Sequence, residues 1–165
     1  MKQSTIGPAL VLLLAACGGE TSGEIGDGRG ESGTYAVESG GDGVTARMET
    51  ADGTAVMRSG PDVPVDLPHG FTIYPGATVT TNTVFEEAGS KGALVTMETD
   101  AGPEELVAFY RTQAERAGVD ITLDMTTDTM RMIGGKAPDD SPFSFTASDE
   151  GERTTGQLMV GEAFE

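Results

Sequence analysis

The side chains able to do chemistry in this sequence are few in kind. There is one cysteine, Cys17, and one histidine, His69, against eight methionines and 27 acidic residues. A Ser-His-Asp arrangement would rest on His69 alone. It sits between Pro68 and Gly70, and no Gly-x-Ser-x-Gly elbow occurs anywhere in the chain. His69 therefore reads as a solvent-exposed loop histidine. One His and one Cys cannot complete a tetrahedral zinc set, and a lone cysteine has no intrachain disulfide partner. Calcium wants six to eight oxygens from one loop, and Asp27-Gly28, Asp42-Gly43 and Asp139-Asp140 supply only fragments of one. The acids read as a solvated surface. Paired carboxylates for glycoside hydrolysis need a cleft, which a small sheet with one helix rarely builds.

Methionine offers the other chemistry. Met97, Met125, Met130, Met132 and Met159 fall on or beside predicted strands, with Met130-Arg131-Met132 as a Met-x-Met pair. Thioethers are soft ligands suited to Cu(I). They are also ordinary gap-fillers in a core, and alternation along a strand is what a buried face requires. The expectation is core, with Cu(I) binding as the alternative.

Cys17 has the most informative surroundings. Lys2 precedes an unbroken apolar run, residues 9–16. That run falls short of the roughly 20 residues needed to cross a bilayer but suits a signal peptide. It ends in Leu14-Ala15-Ala16-Cys17, which resembles the lipobox cleaved in bacterial lipoproteins. The resemblance implies a signal peptide over 1–16, cleavage before Cys17, and acylation of that cysteine on sulfur and on its freed amine. Stable anchoring takes more than one acyl chain, a condition that a triacylated cysteine meets. Gly18, in place of Asp, implies sorting to the outer membrane.

The formal net charge of −17 repels nucleic acid and anionic headgroups. The partners expected are the membrane through the lipid and another envelope protein, with no nucleic acid and no cofactor.

The elements that must position these groups follow from periodicity. Residues 17–43 are Gly, Ser, Glu and Asp with little apolar content, a composition that reads as a flexible acidic tether. Residues 44–70 form a hairpin around Asp52-Gly53 and then a connector carrying Pro61, Pro64 and Pro68. Residues 71–162 make the main domain. Phe71 to Gly76 reads as an edge segment closed by a Pro-Gly turn. Two strands follow, and then a helix with Pro103 at its first position and Gly118 past its end. Leu106, Val107, Tyr110, Ala114 and Ala117 form its apolar stripe. After it, Ile121, Leu123 and Met125 should bury one face of a strand whose other face is acidic. Residues 134–142 read as a loop. The fold expected is α+β, a two-layer sandwich of β-β-α-β-β-β-β order, with one helix covering an antiparallel sheet and a hairpin preceding it.

Leu67-Pro68, Tyr74-Pro75-Gly76-Ala77, Pro103-Glu104-Glu105, Phe109-Tyr110 and Ile133-Gly134-Gly135-Lys136 resemble a family of small uncharacterised lipoproteins of alphaproteobacteria, chiefly sphingomonads. That resemblance implies the fold and an envelope location, and it carries no activity. The function expected is non-catalytic: a lipid-anchored, periplasm-facing interaction or structural module, with a small-ligand or metal-binding module (Cu(I) or Ca) as the rival. A ligand-binding module should show a pocket lined by Phe85, Phe109, Phe143 and Phe145.

Overall fold

A computed structural model describes residues 19–26, 32–50, 53–87 and 89–161. The strands are β1 Glu20–Gly26, β2 Ser32–Gly40, β3 Gly43–Thr50, β4 Gly53–Gly60, β5 Thr78–Glu87, β6 Ser90–Thr99, β7 Asp120–Thr126, β8 Met130–Lys136, β9 Pro142–Asp149 and β10 Thr154–Gly161. A short 3₁₀ turn, Pro68–Gly70, precedes β5, and α1 spans Pro103–Arg116. All ten strands join one antiparallel sheet in the order β1-β2-β3-β4-β5-β6-β10-β9-β8-β7. From β5 onward the order is β-β-α-β-β-β-β, as expected.

Pro103 opens α1 with its ring where no helical N–H is needed, and the Glu105 and Leu106 amides bond the Gly102 carbonyl. The helix ends in a Schellman arrangement: Val119 N–H reaches the Ala114 carbonyl and Gly118, at φ 78°, reaches that of Glu115. Its stripe of Leu106, Val107, Tyr110 and Ala114 is buried against Val95, Met97, Ile133, Phe145 and Leu158 of the sheet. Tyr110 and Phe145 stack with centroids 4.0 Å apart, the centre of the core.

The helix backbone runs closest to β7 to β10, and its side chains reach across to Met97 of β6. That leaves an outer face opposite it, and a long ribbon, β1 to β4, beyond it. The segment 17–43, read as a tether, instead contributes β1 and β2 over its described residues. Here tertiary pairing overrides a glycine-rich composition, because β2 finds a full-length antiparallel partner in β3.

Two further expectations are corrected. Phe71 to Gly76 is not a strand. The Thr72 backbone bonds the Gln113 side chain through both N–H and C=O, and Tyr74 N–H donates to the Tyr110 hydroxyl at 3.1 Å. Helix side chains thus take the place of a ladder partner. Its Pro75-Gly76 turn is present, with Gly76 at φ 85° and Ala77 N–H on the Tyr74 carbonyl. Residues 134–136 continue β8 rather than starting a loop, because β7 runs so close that a Cβ on Gly135 would collide with the Asp120 backbone.

Candidate functional site

The lipidation and cleavage positions, Cys17, Leu14, Ala15 and Ala16, lie outside the described residues. The groups able to do chemistry elsewhere fall in two places, one on each side of the sheet.

The first centres on His69. Its ring is mostly covered, with 23% of the side chain exposed. Nε2 stands 3.1 Å from Ser141 Oγ and 3.5 Å from Asp139 Oδ2. His69 is thus no free loop histidine: the fold brings a serine and an aspartate to it across 72 residues of sequence. Long-range packing of the 3₁₀ turn on the β8–β9 loop does this, and no local motif announces it. The wiring is not that of a nucleophile. Ser141 Oγ donates to Asp139 Oδ1 at 2.7 Å, so its nearer acceptor is the carboxylate and not Nε2. In a hydrolytic triad the carboxylate holds the far ring nitrogen, whereas here Asp139 competes for the near one. Ser141 is also buried, at 3% exposure, where no substrate reaches it. The Ser141 hydroxyl and N–H hold the Asp139 carboxyl below its ordinary pKa, with a smaller pull from His69. The cluster clasps two loops together.

The second place is the outer face. Strand register shows which side chains share it. On β2 to β5 it carries Tyr35, Val37, Val44, Ala46, Met48, Ala55, Met57 and Phe85. On β6 and β10 it carries Leu94 and Met159, and on β9 Ser144, Thr146 and Ser148. On β8 and β7 it carries Met130, Met132, Met125 and Leu123. Its charged side chains, among the described strand residues, are Glu87, Glu98, Asp120 and Lys136. The other side of the ribbon holds Glu20, Glu24, Glu38, Arg47, Glu49 and Arg58 instead, with Glu86 beside Arg58 on β5. Along β1 to β4, among the described strand residues, charge is confined to that other side. No described helix or strand packs over the outer one.

This overturns the core reading for most of the methionines. Met97 alone of the five named is core, fully buried and 3.2 Å from the Tyr110 hydroxyl. A bulge between Ile121 and Leu123 is the reason on β7. One extra residue inverts the alternation, so Ile121 packs under the helix while Leu123 and Met125 turn away, 42% and 40% exposed. Asp124 takes the helix side and pairs with Arg111 at 2.7 Å. On β8 the helix-facing positions are Arg131, Ile133 and Gly135, so Met130 and Met132 face outward. Met159 does the same on β10.

The four phenylalanines do not line one pocket. Phe143 and Phe145 are core, Phe109 packs edge-on to Tyr74, and Phe85 lies on the outer face. The depressions are open and peripheral. One of about 210 Å³ lies between Gly102-Pro103-Glu104 and the β7–β8 turn, one of about 400 Å³ beside Tyr35 and Arg47, and one of about 420 Å³ beside Val56 and Lys91. Among the described residues no three His, Cys, Asp or Glu converge to hold a metal ion, and no helix is long and apolar enough to cross a membrane.

Residues 78–154 match a family model described as START domain-like. The match opens at the first residue of β5 and closes at the first of β10, so it takes in β5 to β9 and α1 and leaves out the β1–β4 ribbon and the rest of β10. No curated protein and no solved structure matches the chain.

Proposed function

We propose that this chain is a non-catalytic envelope lipoprotein, anchored in the outer membrane through Cys17 and facing the periplasm, whose outer sheet face is an interaction surface for another envelope protein. One observation carries the reading. In a chain with net charge −17, the β1–β4 ribbon gathers its apolar and small polar side chains on the outer face and its charges on the other. Contiguous apolar surface is costly to leave in water, and where it persists it marks an interaction site. The acids on the opposite face keep the molecule soluble while that face stays available.

The wiring of His69, Asp139 and Ser141 supports the non-catalytic part, since the serine proton is already committed to the carboxylate. Anchoring rests on the Leu14-Ala15-Ala16-Cys17 box. With β1 starting at Glu20, two residues lie between Cys17 and the sheet, a reach of roughly 10 Å at full extension. The domain then works close to the membrane surface.

The test is mass spectrometry of the protein isolated from membranes, alongside a Cys17→Ser form. The expected result is an acylated N-terminal cysteine in the first and an uncleaved precursor in the second. A free thiol at Cys17, or cleavage elsewhere, removes the anchor from the proposal.

A further inference from the structure

We propose that Met125, Met130 and Met132 form a thioether site for Cu(I) at the free end of the β7–β8 hairpin. Met125 and Met132 are directly opposed cross-strand partners. Met130 lies two residues from Met132 on the same strand and the same face. Opposed Cβ atoms in such a pair lie about 4.5–5.5 Å apart and diagonal neighbours about 7–8 Å, distances that three flexible thioethers bridge by rotation about their side-chain bonds. The backbone under them is held. Thr127 N–H bonds the Met130 carbonyl at 2.8 Å, and Met130 N–H bonds Thr127 Oγ1 at 3.1 Å, so the turn fixes where Met130 stands.

Packing does not account for this choice of residue. The helix covers the opposite face, Met125 is 40% exposed, and Met130 and Met132 are half-buried. Strand preference does not account for it either, since β-branched residues serve an exposed strand better. Across the same face, β9 supplies Ser144, Thr146 and Ser148 at the neighbouring positions. Three thioethers share one corner of this face where Thr or Val would be expected.

Their chemistry selects the ion. Thioether sulfur is soft, uncharged and carries no proton to lose, which suits Cu(I) and disfavours Ca, Mg and Zn. Because no ligand is protonated, affinity should be nearly independent of pH between about 5 and 8, unlike a histidine or cysteine site. The site does not depend on lipidation, but Cys17 would compete as a thiolate if it were free, so the Cys17→Ser form accompanies the wild type.

The experiment titrates detergent-solubilised full-length protein, and its Cys17→Ser form, with Cu(I) under anaerobic conditions against bicinchoninate. Both should take up about one equivalent with submicromolar affinity. Binding in a Met125→Leu, Met130→Leu, Met132→Leu variant should fall at least about tenfold, with an unchanged melting midpoint. Methyl-labelled methionine spectra of the unmutated protein give a readout independent of any variant. The signals of Met125, Met130 and Met132 should move on adding Cu(I), while those of Met48, Met57 and Met97 stay. No competition with bicinchoninate, equal binding by the leucine variant, or shifts confined to other methionines would overturn the assignment.

Discussion

The Tyr110 hydroxyl donates to the Met97 sulfur at 3.2 Å and accepts the Tyr74 N–H at 3.1 Å, so one buried phenol ties helix, sheet and the Phe71–Ala77 segment together. Truncation to alanine should cost about 3–5 kcal/mol, since the ring is fully buried against Phe145. Arg111→Ala, next in sequence, removes a surface pair with Asp124 and should cost at most about 1 kcal/mol. Urea melts of the two variants should differ clearly in midpoint. Equal midpoints would mean that the helix does not pack in this way.

The same hydroxyl makes alkaline stability readable. Burial pushes the Tyr110 phenol from 10.0 up to about 12, partly offset by the bond from Tyr74 N–H. With the folded pKa raised, this contribution is complete below pH 10 and drains away as pH rises towards 12. Tyr110→Phe should lose about 1–3 kcal/mol at neutral pH by orphaning the Tyr74 donor. Its stability should also depend less steeply on pH over that alkaline window. Parallel alkaline limbs in the two proteins would contradict the assignment.

Asn82 is the buried amide that pins the proline connector. It is fully buried, and its Nδ2 donates to the Val63 and Pro64 carbonyls at 3.2 and 2.9 Å. Prolines lack N–H groups and cannot tie the connector down through a ladder, so this side chain does it. Asn82→Ala should cost about 1–3 kcal/mol and speed proteolysis between Pro61 and Asp66. An unchanged cleavage pattern would place the restraint elsewhere.

The His69 clasp has an acid limb. The Asp139 carboxyl is held below its usual range by Ser141, so its contribution is complete above the ordinary carboxylate pKa and is lost as pH falls through the lowered value. Amide exchange at Ser141 should accelerate below about pH 4 in the wild type, whereas Asp139→Asn should exchange fast at every pH. Wild-type exchange with no acid transition would count against the clasp.

Much of the helix-bearing half was legible in the sequence, because its signals are local. Pro103 and Gly118 bracket a 3.6-residue stripe, and every member of the buried set Leu106, Val107, Tyr110 and Ala114 could be named from that period alone. The failures are all non-local. A bulge at Ile121 inverted the faces of β7, and nothing in an alternating string marks where one residue is skipped. Residues 71–76 have a strand's composition but hydrogen-bond to Gln113 and Tyr110, some 40 positions away. The 17–43 composition lacks core-forming residues, yet β1 and β2 find partners along the edge of a long sheet. His69, Asp139 and Ser141 meet only after folding. Met130 and Met132 keep the expected alternation on the other face, whereas at Leu123 and Met125 the bulge breaks the alternation itself.

The proposal that the outer sheet face is where this protein meets its partner is tested most directly by site-specific photocrosslinking in intact cells. A benzophenone side chain would be placed at Ala46 or Met57 on that face, and at Thr112 on the exposed side of the helix. The expected result is a discrete adduct of one size from Ala46 and Met57 and none from Thr112. Adducts from Thr112 alone, or none from either face in protein whose Cys17 is acylated, would contradict it.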